Sequence, residues 1–66
     1  MQLTINGEAR TVDDVKSVEA LVRALGLDPR KVAIERNLEI VPRSTYARVA
    51  IADGDRFEIV AFVGGG

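Results

Sequence analysis

Sixty-six residues, 9 basic and 10 acidic side chains, a net charge of -1 and neither cysteine nor histidine describe one small domain and remove most chemistry at the outset. No disulfide or common zinc site can staple the fold, and neither a Cys/His pair nor a Ser-His-Asp triad can form. No run of Lys or Arg makes a basic stripe, so nucleic acid and anionic membrane are not expected as partners.

Met1 leads straight into Gln2-Leu3-Thr4-Ile5, which alternates as a half-buried strand does. A targeting segment is therefore not expected, and a cytoplasmic location is. Asn6-Gly7 is a hairpin signal, because a type I′ turn needs positive φ at both central positions. Glu8 to Val12 should return as the second strand. Asp13 to Ser17 is polar, and Val18, Leu21, Val22 and Leu25 then fall on one helical stripe. Ser17 suits the N-cap, and Glu19 in the first turn suits the helix dipole. Gly26 suits a left-handed C′ position with Leu27 folding back on Val22, and Asp28-Pro29 prevents continuation. So short a helix needs a sheet under its stripe.

Val32 to Glu35 reads as a third strand, Asn37 as a turn, and Leu38 to Val41 as extended again. Pro42 to Tyr46 reads as a short irregular or 3-10 turn. Val49 and Ile51 suggest a brief strand, Asp53-Gly54-Asp55 another turn, and Phe57 to Val63 the last strand. A hairpin, one helix across one sheet face and a returning mixed sheet make an α+β roll, ββαββ(β). A carboxylate pair could serve as acid and base, but a domain this small has little interior for a water-excluding pocket. A carrier or substrate of larger enzymes is expected rather than an enzyme.

The last strand is apolar on both faces near its end. Phe57, Ile59, Ala61 and Val63 share one face; Glu58, Val60 and Phe62 share the other. Glu58 is costly to bury unpaired, so its face should be the outer one. That leaves Val60 and Phe62 either as a docking patch or, for Phe62, folded over a neighbouring loop. Gly64, Gly65 and Gly66 follow. Without Cβ atoms they can thread a narrow tunnel, and extended they span on the order of 10 Å. The division expected is a domain over residues 1–63 and a flexible tail over 64–66, although a linker remnant or frayed end would read the same way.

The pattern Val32-Ala33-Ile34, Asn37, Ile40-Val41-Pro42-Arg43, Asp53-Gly54-Asp55 and Val63-Gly64-Gly65-Gly66 resembles the ThiS family, the sulfur-carrier proteins of thiamine biosynthesis with a ubiquitin-like β-grasp fold. The likeness covers nearly the whole chain in length and element order. It implies that an E1-like adenylyltransferase spends ATP to adenylate the Gly66 carboxyl. A sulfur donor such as a cysteine desulfurase then displaces AMP and leaves a thiocarboxylate, which thiazole synthase uses. It also implies a carrier that binds no cofactor or metal itself and is a monomer when free. Gly64 and Gly65 would let the arm enter both enzymes, and Val60 and Phe62 would contact them. Arg43 is either a further contact or a solvated turn arginine. Glu35, Arg36, Glu39 and Arg56 read as solvated or cross-strand partners. A molybdopterin-synthase-type carrier, a ubiquitin-like modifier joined to lysines and a non-catalytic β-grasp interaction module remain as alternatives.

Overall fold

Asn6 and Gly7 turn the chain with φ of 51° and 81°, as the hairpin signal requires, and join β1 (Gln2–Ile5) to β2 (Glu8–Thr11). The structure is a computed structural model that describes residues 1–62. The tail expected at Gly64, Gly65 and Gly66, and the domain boundary expected at residue 63, therefore lie outside the described residues. The helix α1 (Val18–Ala24) starts at Ser17, whose Oγ accepts from the Ala20 amide at 3.1 Å. It ends in a Schellman arrangement. Gly26 has φ 80°, its amide donates to Arg23 O, and the Leu27 amide donates to Val22 O. Asp28 then caps a 3-10 turn over Pro29–Lys31 by accepting from the Arg30 amide at 2.9 Å.

The chain continues through β3 (Val32–Arg36), a two-residue turn, β4 (Glu39–Ile40), a 3-10 turn over Arg43–Thr45 and β5 (Arg56–Ala61). The five strands lie in the order β2-β1-β5-β3-β4. Only the β1–β5 pair is parallel. Two expectations need correction. Leu38 does not continue a strand: with Asn37 it forms the tight turn, at φ 71° and 51°, because Arg36 must pair directly with Glu39. A leucine in that left-handed region costs on the order of 1 kcal/mol or more. Val49 and Ile51 form no strand either. The helix N-terminus has amides with no partner inside the helix, and the 46–49 loop supplies carbonyls instead. Val18 N donates to Val49 O and Glu19 N to Tyr46 O.

The helix stripe lies on one sheet face. Val18, Leu21 and Val22 are fully buried there in one cluster with Leu3, Ile5, Val32, Ile34, Phe57 and Ile59. Each such apolar side chain contributes about 1.5–3 kcal/mol by leaving water. Val15 and Tyr46 join the same cluster, although their surroundings in sequence are polar. The Tyr46 hydroxyl donates to Val32 O at 3.1 Å. That carbonyl points to the β4 side of β3, where the two-residue β4 does not reach.

Asp55 is the one buried charged residue among those described. Its carboxylate accepts from Arg36 Nε at 2.8 Å, Ala52 N at 2.9 Å and Asn37 Nδ2 at 3.1 Å. Burial is the largest single effect and raises its pKa. The hydrogen bonds from Ala52, Arg36 and Asn37 together outweigh burial and leave it below the usual 3.8. The folded form thus holds the ionised carboxylate more tightly than the unfolded chain does. The resulting stability is fully present above the unfolded pKa and disappears as pH falls through the folded one. Asp55→Ala is expected to lose about 2–4 kcal/mol by stranding these donors. In thermal melts at descending pH, Asp55→Asn should show a shallower acid decline than the parent; parallel declines would contradict the assignment.

Candidate functional site

β5 lies between β1 and β3, and its register settles which side chains face out. Ile34 stands opposite Ile59 and Ala33 opposite Val60. Ile59 is 7% exposed under the helix, whereas Val60 is 60% and Phe62 46% exposed on the face the helix leaves open. The alternation read from Glu58 therefore places Val60 and Phe62 correctly. The Phe62 amide donates to Lys31 O at 2.8 Å, so the β3–β5 ladder is held one residue past the strand.

Arg43 is brought to the same place by the segment after β4. Val41 N bonds Ile34 O at 2.9 Å, which ties the chain back to β3. Pro42 then starts the 3-10 turn, and Thr45 Oγ1 donates to Pro42 O at 2.7 Å. The Arg43 guanidinium carbon lies 5.7 Å from the centre of the Phe62 ring, within cation–π range. Arg43 is thus more than a solvated turn arginine, and Phe62 is partly covered by a neighbouring segment while still half exposed. Val60 and Phe62, expected together from the alternation of the last strand, and Arg43, expected from the Pro42-Arg43 segment, meet at one end of the open face. Beside them a shallow depression of about 340 Å³ is bordered by Ala33, Ile40, Val60 and Arg43.

Ile40 is a further member of this surface, 80% exposed. Its signal was available in the alternation of Glu39, Ile40 and Val41, since burying Val41 turns Ile40 outward. Gly64, Gly65 and Gly66 lie outside the described residues. Among the described residues, no group of three or more Asp or Glu side chains is placed to hold a metal ion, and no helix is long and apolar enough to cross a membrane.

Five strands in this order with one helix across one face define a ubiquitin-like β-grasp domain. The ThiS family matches residues 3–66, and the chain belongs to that family. The crystal structure of the thiamine biosynthesis protein ThiS from Geobacter metallireducens has the same fold. It has a TM-score of 0.82 and 36% identity over 100% of both chains. The sulfur carrier protein ThiS of Bacillus subtilis is 37% identical over 65 residues, which cover 97% of this chain and 98% of that one. A thiazole synthase of Paramagnetospirillum magneticum is 64% identical over 66 residues, and the chain spans only 20% of its length.

Replacing Ile59 by Ser buries a hydroxyl in place of an alkyl group and should cost a few kcal/mol of stability, roughly 2–5. Replacing Phe62 by Ser removes a half-exposed ring and one cation–π contact, about 1 kcal/mol or less. Thermal unfolding of the two variants checks the face assignment. Equal destabilisation would show that Phe62 is a core residue.

Proposed function

We propose that this domain carries sulfur on the carboxyl group of Gly66 and delivers it for thiazole formation in thiamine biosynthesis. Membership of the ThiS family across residues 3–66 carries this reading. Likeness over nearly the full length of the Bacillus sulfur carrier supports it. The likeness of the whole chain to one part of a thiazole synthase supports that enzyme as the acceptor.

The chemistry follows from the electrophilicity the reaction needs. A terminal carboxyl with a pKa of about 3.3–3.7 is ionised at neutral pH and resists nucleophiles. An E1-like adenylyltransferase would join a carboxylate oxygen of Gly66 to the α-phosphorus of ATP and release pyrophosphate. A sulfur nucleophile then attacks the carbonyl carbon: sulfide directly, or the terminal sulfur of a cysteine desulfurase persulfide, whose acyl disulfide product a thiol reductant then cleaves, itself becoming a disulfide. AMP leaves with the bonding pair, and the product is a thiocarboxylate. The domain supplies no catalytic group and binds no cofactor in this scheme; ATP is consumed by the enzyme. Glycine at 64 and 65 presents no Cβ to clash with the walls of either active site. Val60, Phe62 and Arg43 are the surface that these cytoplasmic enzymes contact, and the free carrier acts as a monomer.

The chain incubated with ATP, Mg²⁺, the adenylyltransferase and sulfide should gain the mass of one oxygen-to-sulfur exchange. A variant with one residue added after Gly66 should gain nothing while melting at the parent temperature, because the added residue touches no core. An extended variant that is still converted at its new end, or a parent chain that never is, would refute sulfur carriage on Gly66.

A further inference from the structure

Glu35 on β3 and Glu58 on β5 stand directly opposite each other on the open face. The Asn37 amide donates to Arg56 O and the Phe62 amide to Lys31 O. That phase makes Glu35 and Glu58 a hydrogen-bonded pair of the ladder, with Cα atoms about 5.5 Å apart. Like charges in this position destabilise a sheet. Glu19, Asp28 and Asp55 each hold an arginine within 3.2 Å. Glu8, Asp14, Glu39 and Asp53 have no ion pair among the described residues, but Glu8 and Glu39 stand opposite Ile5 and Arg36 rather than another acid. Glu35 and Glu58 have no ion-pair partner among the described residues. Arg56, two residues before Glu58, and Arg43, across the depression, are cations of the same side, and neither pairs with them.

The surroundings of the two carboxylates are apolar. Ile40 stands opposite Glu35 on β4, and Ala33 and Val60 form the next outward-facing pair of the β3–β5 ladder. Ile40 and Val60 are 80% and 60% exposed. A stretch of aliphatic surface thus leads to two unneutralised carboxylates, and all of these residues border the same depression.

We infer that a protein partner docks on this face through an arginine, with its guanidinium between Glu35 and Glu58 and its methylene stem along Ile40 and Val60. A guanidinium presents a planar fork of donors to carboxylates. Its stem covers apolar surface while the head stays polar. A divalent cation fits less well, because no third acidic ligand joins the pair among the described residues and the rim is aliphatic. The repulsion between Glu35 and Glu58 is then a cost in the free domain that the partner's charge removes.

The identity of the partners rests on the proposed carrier role, and the test keeps the two apart. Titration calorimetry of the full chain against the adenylyltransferase and against thiazole synthase measures docking without turnover. The double variant Glu35→Gln/Glu58→Gln keeps shape and removes charge. It should weaken binding to at least one of the two roughly tenfold or more and flatten the dependence of affinity on salt. Its melting temperature should stay the same or rise, a direction that a structural role for the pair would reverse. Unchanged affinity for both enzymes, failure of the parent chain to bind either, or Mg²⁺ alone titrating into the parent but not the double variant would each overturn the inference. A parent that binds in this charge-dependent way yet gains no thiocarboxylate would refute sulfur carriage alone. Normal thiocarboxylate formation with affinities indifferent to the Gln pair would refute the arginine site alone.

Discussion

β5 is hydrogen-bonded along both edges, and the rest of the domain is arranged to keep it there. β3 holds it over five registered pairs from Val32↔Ala61 to Arg36↔Phe57. The parallel side is much shorter, with only Thr4↔Arg56 and Ile5↔Phe57 in register with β1. Side chains extend it. Where β1 turns away, the Asn6 amide group accepts from Ile59 N at 2.8 Å and donates to Ile59 O at 3.1 Å. At the other end Asp53 Oδ1 accepts from Gln2 N, and Gly54 N donates to Gln2 O. Asp55 fastens the entry of β5 to the β3–β4 turn through Arg36 and Asn37. Buried backbone groups on β5 thereby find partners on both sides, and the strand that leads to the glycines is the best-anchored one in the sheet.

This anchoring divides labour between the two faces of the sheet. The helix side holds the stripe of α1 and the apolar residues of β1, β3 and β5, and that side supplies stability. The open side carries Ile40, Val60, Phe62 and the opposed Glu35 and Glu58, none of which the core requires. Apolar groups exposed to water and like charges set face to face add little stability to the free domain. Their presence on the face that the helix leaves open is what a docking role asks for.

Much of this was readable from local rules. Asn6-Gly7, Ser17 and Gly26 each impose a backbone conformation on their own, so the hairpin and both helix ends follow from single residues. The outward face of β5 followed from one carboxylate, Glu58, that could not be buried alone. What escaped depended on distant partners. Leu38 gives no local sign of positive φ; the pairing of Arg36 with Glu39 forces it there. Tyr46 lies in a polar turn, and its burial depends on an open carbonyl at Val32, fourteen residues away. Asp55 has the signature of an ordinary turn residue until Arg36 and Asn37 fold against it. Val49 has the β-branching of a strand residue, but its carbonyl is taken by the helix N-terminus. The contact of Arg43 with Phe62 joins segments on either side of the 46–55 loop, beyond the reach of any periodicity.

The division of faces is tested most directly by mapping backbone amide shifts of the ¹⁵N-labelled chain as each of the two proposed partners, an adenylyltransferase and a thiazole synthase, is added. Perturbation should concentrate at Ala33, Glu35, Ile40, Glu58, Val60 and Phe62, with the outer side of the helix at Glu19, Arg23 and Ala24 left in place. Perturbation centred on those helical residues, with the open face silent, would contradict it.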